Sequence, residues 1–265
     1  MKTSIIISVY KNHEALFAVL EALHRQTILD FEIIISEDGN DPQMKHFVDN
    51  YNWFCPYQHL TQPDEGWRKN RALNRAVLAA KNPWLIFLDG DCVPHRSFVE
   101  MHLASAAPDR ILLGKRVKLS ESLSNNVLHD IDFVDTLSSK MWFLLFSHNS
   151  CRYPDEGIFL PYFLANTLRS TRHLIGCNMS FHRDAIVRIN GFDEDYTSPA
   201  TGEDADIAWR LRTAGYQFVS VRNRAIVYHL HHKENWTDQT DNLNMMKRKI
   251  KSNQFVCTNG INLHL

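Results

Sequence analysis

The fold is decided by residues 84–91, which read Trp84-Leu85-Ile86-Phe87-Leu88-Asp89-Gly90-Asp91. Five consecutive apolar residues are typical of a central strand that is buried on both faces, as in parallel sheets. The strand is expected to end at the acidic turn, because Asp and Gly favour turns. We therefore predict a buried strand that carries Asp89 and Asp91 at its carboxyl end.

Two earlier stretches of the chain show the same pattern. Residues 4–10 contain Ile5-Ile6-Ile7, and residues 31–36 form a second apolar run that ends at Glu37-Asp38-Gly39. Between them, Leu16, Val19, Leu20 and Leu23 recur at helical spacing after Asn12, a residue type that caps helices. The spacing also predicts helices over 44–52 and 68–80 and a weak strand over 58–60. This alternation indicates one α/β, Rossmann-like domain with a mostly parallel central sheet flanked by helices.

The second half of the chain has a less regular pattern. We predict strands over 111–114, 218–221 and 225–228 and helices over 184–189 and 204–214, the latter ended by Gly215. Residues 123–168 are predicted to be mostly helical, with an apolar cluster at 141–146. No stretch rich in Gly, Pro or Ser separates two domains.

Composition limits the function classes. The chain has 265 residues, 44% of them apolar, and a net charge of −1, so no overall basic field favours nucleic acid as a partner. No apolar run approaches the roughly 20 residues that span a bilayer. Five cysteines at wide spacings predict buried reduced thiols. The sequence enters a strand without signal-peptide architecture, so a cytoplasmic protein is the default expectation.

Polar clusters follow the three apolar strands, at the end of the sheet where ligands bind in open α/β folds. The candidate ligand-binding residues are Ser8 and Tyr10 after the first strand, Asp38 after the second and Asp89-Gly90-Asp91 after the third. Two carboxylates around one glycine can converge on Mn²⁺ or Mg²⁺, which prefers oxygen ligands and shares its coordination with substrate phosphates. A solvated turn is the alternative interpretation of each acidic motif.

Basic residues near the start of the helix over 68–80 are candidates for phosphate contacts. Arg68, Lys69 and Arg71 lie where a helix N-terminus also attracts anions, and Arg71 is the preferred candidate. A solvated helix face is the alternative.

Two further motifs could complete a catalytic site. Glu203 and Asp204 open a predicted helix, whose dipole would lower the pKa of their carboxyl groups and keep one of them ready to accept a proton. The alternative is simple helix capping. His229 and His231 would point to one side if their strand continued, and imidazole can complete a Mn²⁺ shell. His229 is the preferred metal ligand, and a purely structural role for this histidine is the alternative.

The C-terminal tail has a basic amphipathic pattern over residues 242–255. Its cations lie beside apolar residues, as in helices that lie on anionic membranes. Peripheral contact with the inner face of the membrane is therefore one hypothesis, and a solvated terminal helix is the other. The basic residues are Lys247, Arg248, Lys249 and Lys251.

Together these motifs resemble the family 2 glycosyltransferases of the GT-A fold. The N-terminal likeness rests on residues 4–10, on Gln26-Thr27 with residues 32–39, and on residues 87–91. Asn190-Gly191-Phe192-Asp193 and Gly202-Glu203-Asp204 are similar to the C-terminal half of galactosyltransferase-type and chondroitin-polymerase-type domains. The likeness covers roughly residues 1–115 and 172–235.

The resemblance implies an inverting transfer of a hexose-type sugar from a UDP-sugar to a saccharide or glycolipid acceptor in surface polysaccharide or glycolipid synthesis. It implies Mn²⁺ (or Mg²⁺) as cofactor. The nucleotide-sugar would be bound by Ser8, Tyr10, Asp38, Arg71, Asp89 and Gly90. The metal would be bound by Asp91, His229 and Asp89. The resemblance also implies that Asp204 is the general base and that Glu203 binds or orients the acceptor.

On this basis the single domain divides into four segments. Residues 1–115 form the nucleotide-sugar-binding half, 116–171 a mainly helical insertion, 172–235 the acceptor and catalytic half, and 236–265 the tail. The chain also departs from the family pattern. The Trp-Gly usual before the acidic pair reads Thr201-Gly202, the proline after the first strand is Val9, and an Arg-Asn pair near the phosphates reads Leu73-Asn74.

Three other functions fit some of the motifs. A nucleotidyltransferase acting on sugar phosphates would carry a Gly-rich, basic loop after the first strand, where this chain has Lys11-Asn12-His13. A non-catalytic nucleotide-sugar-binding protein would not need Asp91 and Asp204. A phospho-accepting receiver domain shares the strand-end aspartates but is only about half as long.

Overall fold

A computed structural model describes residues 2–147, 150–161, 163–165, 171, 173–199, 201–233 and 238–265. Its strands are β1 (Thr3–Val9), β2 (Phe31–Glu37), β3 (Tyr57–Leu60), β4 (Trp84–Asp89), β5 (Cys92–Pro94), β6 (Arg110–Leu113), β7 (Lys115–Leu119), β8 (Cys151–Arg152), β9 (Asn178–His182), β10 (Gln217–Ser220) and β11 (Ile226–His229). Its helices include α1 (His13–His24), α2 (Pro42–Asn50), α3 (Lys69–Ala79), α4 (Phe98–Leu103), α5 (Glu121–His129), α6 (Phe133–Leu144), α7 (Arg183–Arg188), α8 (Asp206–Thr213) and α9 (Thr240–Lys251).

The main sheet has seven strands in the order β10-β6-β9-β4-β1-β2-β3. All neighbours are parallel except β9, which runs antiparallel to β4 and β6. Helices cover both faces, and two apolar cores form, one on each side of the sheet. The predicted α/β domain with a mostly parallel sheet is confirmed. The predicted N-terminal cap of α1 is also confirmed, because the Asn12 side chain accepts a hydrogen bond from the Ala15 amide at 3.0 Å.

Strand β9 was not predicted, and it has a direct effect on the site. Because β9 is antiparallel to β4, its first residue, Asn178, pairs with Leu88 at the end of β4. Gly176 and Cys177 precede β9, so they lie beside Asp89 at the edge of the sheet where ligands bind.

A second, smaller sheet has the order β5-β11-β7-β8 and was also not predicted. Strand β11 pairs with β5 so that His229 lies opposite Cys92. The next backbone amide, that of Leu230, donates to the Asp91 carbonyl at 2.9 Å. This short sheet therefore carries the histidine motif to the acidic turn that follows β4.

The insertion contains both helices and strands. Helices α5 and α6 match the helical pattern, but the segment also contributes most of β7, all of β8 and a short 3₁₀ turn over Pro154–Gly157. Residues 148–149, 162 and 166–168 of the predicted helical stretch lie outside the described residues. Among the described residues, no helix is both long and apolar enough to span a bilayer. The cysteines are free thiols, three of them buried and two half-buried.

Helix α9 packs onto the segment that leads to the acidic pair. Lys249 is nearly buried and forms ion pairs with Asp193 and with Asp195, the latter at 2.7 Å. Asn242 donates to the Ser198 carbonyl at 3.1 Å. One of the four basic residues of the predicted membrane-facing tail thus serves an internal role.

A fully buried ion pair supports the same region. Arg210 donates to Asp206 at 2.6 Å and to the carbonyls of Ile189 and Gly191, and both charged side chains are completely buried. A buried charge that loses its partner is strongly destabilising, because nothing then compensates for its desolvation.

We predict that Arg210→Met lowers the free energy of unfolding by about 3 kcal/mol, because the charge of Asp206 is then buried without a counter-ion. Urea denaturation measures the change. Lys45→Met is the matched control, since Lys45 and Asp49 form an exposed pair with the same four-residue spacing. An equal loss of stability in both variants would contradict the prediction.

Candidate active site

A cavity of about 550 Å³ opens at the carboxyl ends of β1, β2 and β4. Among the described residues that line it, Lys69 alone carries a permanent positive charge. The other residues used below are Ser8, Tyr10, Ser36, Asp38, Asp89, Gly90, Asp91 and His232. All three predicted strand-end clusters therefore meet in one cavity.

The wall from β1 and β2 combines hydrogen-bonding groups with an aromatic ring. Tyr10 is half exposed at the rim. Asp38 is nearly buried and accepts hydrogen bonds from the Gln62 side chain and the Arg68 amide, both at 2.8 Å. These bonds fix the loop that brings α3 to the cavity. The Ser36 hydroxyl is buried without a protein partner, so it is available to a ligand.

Gly90 allows the acidic turn to lie directly against β1. Its amide donates to the Ser8 carbonyl at 2.8 Å, and a Cβ at this position would approach a Val9 methyl group to 2.7 Å. A larger residue would move the turn, and with it the carboxylates of Asp89 and Asp91.

Lys69 links the two halves of the chain. Its ammonium lies 2.7 Å from Asp89 Oδ1 and 2.5 Å from Glu203 Oε1. Burial opposes the charge of Lys69, but the two carboxylates outweigh it and hold the lysine pKa well above its ordinary value. The bridge brings Glu203 to the same edge of the sheet as Asp89.

Arg71, the preferred basic candidate, is not part of this cavity. Its guanidinium pairs with Glu65 at 3.3 Å near the surface, and it lines a separate cavity with Glu194 and His264. Lys69 occupies the position that Arg71 was predicted to hold.

A cluster suited to a divalent cation lies at the end of the cavity. Asp91 Oδ2 is 3.5 Å from the Nε2 atoms of both His229 and His232, and these two nitrogens are 3.3 Å apart. Burial is the main reason that the pKa of His229 is lowered, which favours the neutral form that binds metal.

These three residues fit a metal ion. Ligand atoms separated by 3.3–3.5 Å can all contact one ion at about 2.1 Å. Asp91 Oδ1 is buried and has no hydrogen-bond partner, so one carboxylate oxygen is left for an ion or its ligands. One carboxylate with two imidazoles suits Mn²⁺ and similar ions.

The histidine prediction is corrected in one respect. Strand β11 ends at His229, so the alternation that would place His231 beside it does not continue, and His232 turns towards Asp91 instead. The His231 amide donates to Ser124 at 2.7 Å. Asp89 also lies outside this cluster, because its carboxylate pairs with Lys69.

A second group of possible ligands, Asp89 with Cys92 and Cys177, is less suitable for a cation. The Arg116 guanidinium donates to Cys177 Sγ at 3.3 Å and would repel a metal ion. Burial raises the pKa of the Cys92 thiol well above its ordinary value, which disfavours the thiolate that a metal needs.

Glu203 and Asp204 lie on a single π-helical turn, Thr201–Ala205, immediately before α8. The Gly176 amide donates to Asp204 Oδ1 at 2.6 Å. A Cβ on Gly176 would collide with Glu203 and come within 2.8 Å of Asp204 Oδ1. The glycine before β9 therefore makes room for both carboxylates.

The predicted lowering of these pKa values is wrong. Burial, followed by repulsion from Glu203, raises the pKa of Asp204 to about 7, against the opposing effects of Lys69 and the Gly176 amide. Burial also raises the pKa of Glu203. Asp204 keeps some solvent exposure, but protein surrounds its carboxylate, and desolvation exceeds any effect of the helix dipole.

This chain belongs to glycosyl transferase family 2, whose model matches residues 4–189, more than half of its length. A second model, the N-terminal domain of galactosyltransferase, matches residues 166–233. The second match contains the acidic pair and the histidine motif, and the first contains the described residues of the cavity wall other than His232.

Curated relatives are similar over most of this chain. Chondroitin synthase of Escherichia coli is 26% identical over 91% of the chain and 37% of that protein. Validoxylamine A glucosyltransferase of Streptomyces hygroscopicus subsp. jinggangensis is 26% identical over 80% of the chain and 51% of that protein. The chain therefore spans about a third to a half of the length of these relatives.

Solved glycosyltransferase structures share the fold. GalNAc-T7 with UDP, GalNAc and Mn²⁺ superposes with a TM-score of 0.63 at 12% identity, covering 95% of this chain and 48% of that chain. S. aureus TarS superposes with a TM-score of 0.61 at 14% identity, covering 94% of this chain and 40% of that chain. The predicted GT-A fold is confirmed.

We predict that His232→Ala weakens Mn²⁺ binding at least about tenfold, because even residues that only support metal ligands commonly contribute this much. Isothermal titration calorimetry with MnCl₂ measures the affinity. His231→Ala is the matched control and should bind Mn²⁺ like the unmodified protein. Equal weakening in the two variants would reject the assignment of His232.

Proposed function

We propose that this family 2 glycosyltransferase moves a hexose-type sugar from a UDP-sugar to a saccharide acceptor with inversion, using Asp204 as general base. The main support is the Lys69 bridge, which joins the donor cavity at Asp89 to the acidic pair at Glu203. The bridge supports a site in which a divalent cation and a proton acceptor act at one edge of the sheet.

The cavity suits a nucleotide diphosphate. Asp38 and the unpartnered Ser36 hydroxyl provide polar contacts for a base and ribose, and Tyr10 provides an aromatic face at the rim. Lys69 and the Asp91 cluster lie further along the same cavity. Solved relatives of the same fold contain UDP with Mn²⁺ or GDP-mannose with Mn²⁺.

The divalent ion, Mn²⁺ or Mg²⁺, would be held by Asp91, His229 and His232. Such an ion would neutralise the negative charge that develops on a departing diphosphate. Asp89 is held by Lys69 at the same edge, where it can accept hydrogen bonds from the ribose or the transferred sugar.

Asp204 has the properties of a general base near neutral pH. With a pKa of about 7, its carboxylate binds a proton much more strongly than an ordinary aspartate does, yet it is still ionised in part of the population. It would take the proton of the acceptor hydroxyl as that oxygen attacks the anomeric carbon. Glu203, fixed by Lys69, would orient the acceptor.

We predict that Asp204→Asn abolishes transfer while leaving UDP affinity within about twofold, because the amide cannot accept the proton. Transfer is measured by UDP release in the presence of acceptor, and affinity by calorimetry with UDP and Mn²⁺. Asp184→Asn, at an exposed helix position, is the control. Near-normal turnover of Asp204→Asn would eliminate the assignment, and UDP binding without turnover in the unmodified protein would favour the non-catalytic alternative.

We also predict an acidic limb in the pH profile of kcat. Since Asp204 must be ionised, transfer should fall about tenfold per pH unit below about 7. Glu203 and Asp89 raise the pKa of Asp204, and Lys69 lowers it. Lys69→Gln should therefore move the limb to higher pH, whereas Lys247→Gln on the exposed side of α9 should not. A uniform loss at every pH in Lys69→Gln would indicate only a structural role.

A further inference from the structure

The C-terminal residues bind the segment that precedes the acidic pair. Residues 238–265 lie beyond both family matches, yet they contact residues 189–199 through side chains and through the backbone. In the sequence, the 189–199 segment lies between α7 and the π-helical turn that carries Glu203 and Asp204. The C-terminal residues therefore contact the chain directly before the proposed base.

The last residues of the chain are joined to this segment by the backbone. The Ile261 amide donates to the Asn190 carbonyl at 3.0 Å, and the Glu194 amide donates to the Asn259 carbonyl at 2.9 Å. A Cβ at Gly260 would collide with the Asn190 carbonyl oxygen, so this close approach requires glycine. These contacts fix the end of the chain against residues 190–194.

Lys249 of α9 is the charged centre of the contact. Its ammonium pairs with Asp193 and lies 2.7 Å from Asp195, whose carboxylate also accepts from the Asn259 side chain at 2.7 Å. Asp193 is completely buried. Burial raises the pKa of Asp193, and Lys249 opposes that rise. The lysine therefore compensates a carboxylate that has little access to water.

Tyr196 connects Lys249 to the acidic turn. The Lys249 ammonium lies 5.3 Å from the centre of the Tyr196 ring, within the range of a cation–π contact. A Cβ at Gly202 would collide with Tyr196, so the backbone of Gly202 lies directly against this side chain. The Tyr196 hydroxyl donates to Asp206 at 3.1 Å. Gly202 and Asp206 flank the acidic pair, so Tyr196 supports the turn on both sides of it.

Helix α3 provides a second support for the same region. The buried side chain of Asn70 donates to the Asp193 carbonyl at 2.7 Å and to the Gly202 carbonyl at 3.4 Å. Asp193 is thus bound through its carbonyl by α3 and through its carboxylate by Lys249. The position of the acidic turn depends on α9 as well as on the helix that borders the donor cavity.

We propose that Lys249 is a positioning residue for catalysis, which acts through Asp193 and Tyr196 to hold the turn that carries Glu203 and Asp204. The inference rests on the proposed transferase function and adds a residue to its machinery. A general base must lie within hydrogen-bond reach of the proton that it takes, and a displacement of about 1 Å can lower the rate about a hundredfold. None of the described residues that line the donor cavity belongs to α9 or to the 189–199 segment, so donor binding should not depend on Lys249.

The kinetic test compares Lys249→Met with the unmodified protein. Calorimetry with UDP and Mn²⁺ counts the binding sites, and turnover is UDP release from whichever of UDP-glucose, UDP-galactose and UDP-N-acetylglucosamine the unmodified protein uses. We expect kcat per UDP-binding site to fall at least about tenfold, with the KM for the donor and the Kd for UDP within about twofold. Lys247→Met, on the exposed side of the same helix, is the matched control and should change neither. A kcat per site within about twofold of normal in Lys249→Met overturns the proposal.

A second variant separates positioning from stability. Lys249→Met leaves the charge of Asp193 buried without its lysine, which destabilises the fold. The double variant Asp193→Asn/Lys249→Met removes both charges, so its melting temperature should be closer to that of the unmodified protein. Its kcat per site should still be at least about tenfold low. Recovery of kcat together with stability would show that Lys249 only stabilises the fold and would overturn the proposal.

Hydrogen exchange tests the hold of Lys249 on the turn without any substrate. The backbone amides of residues 201–205 should exchange at least about tenfold faster in the double variant than in the unmodified protein or in Lys247→Met. Equal exchange in all three overturns the proposal, whether or not the protein is a transferase. If the unmodified protein neither binds UDP nor releases it from a donor, the transferase function fails instead, and exchange alone then decides whether Lys249 holds this turn.

Discussion

The arrangement of the site depends on one ammonium group. Lys69 lies between Asp89, at the end of a central strand, and Glu203, on a turn contributed by the second half of the chain. Without this cation, Asp89, Glu203 and Asp204 would repel one another in a largely desolvated region, and each carboxyl would tend to take up a proton instead. The lysine therefore keeps Asp89 and Glu203 beside each other and keeps the site charged.

The sequence was sufficient to predict the parts of the fold whose signals are local. Strands β1, β2 and β4 are long runs of buried β-branched and apolar residues, and their polar ends follow directly. The small sheet was not predictable in the same way. Strands β5 and β8 have only three and two residues, and β7 contains three basic residues among its five. These segments become strands because they pair with partners that are distant in sequence.

The errors within the site have equally specific causes. Arg71 and Lys69 are two residues apart on α3, so they face different directions, and only the helix phase decides which one enters the cavity. His232, and not His231, lies beside Asp91 because β11 ends at His229, two residues before His231. The pKa of Asp204 is raised by burial and by the nearby charge of Glu203, and neither can be read from the sequence. The raised pKa makes Asp204 a better proton acceptor.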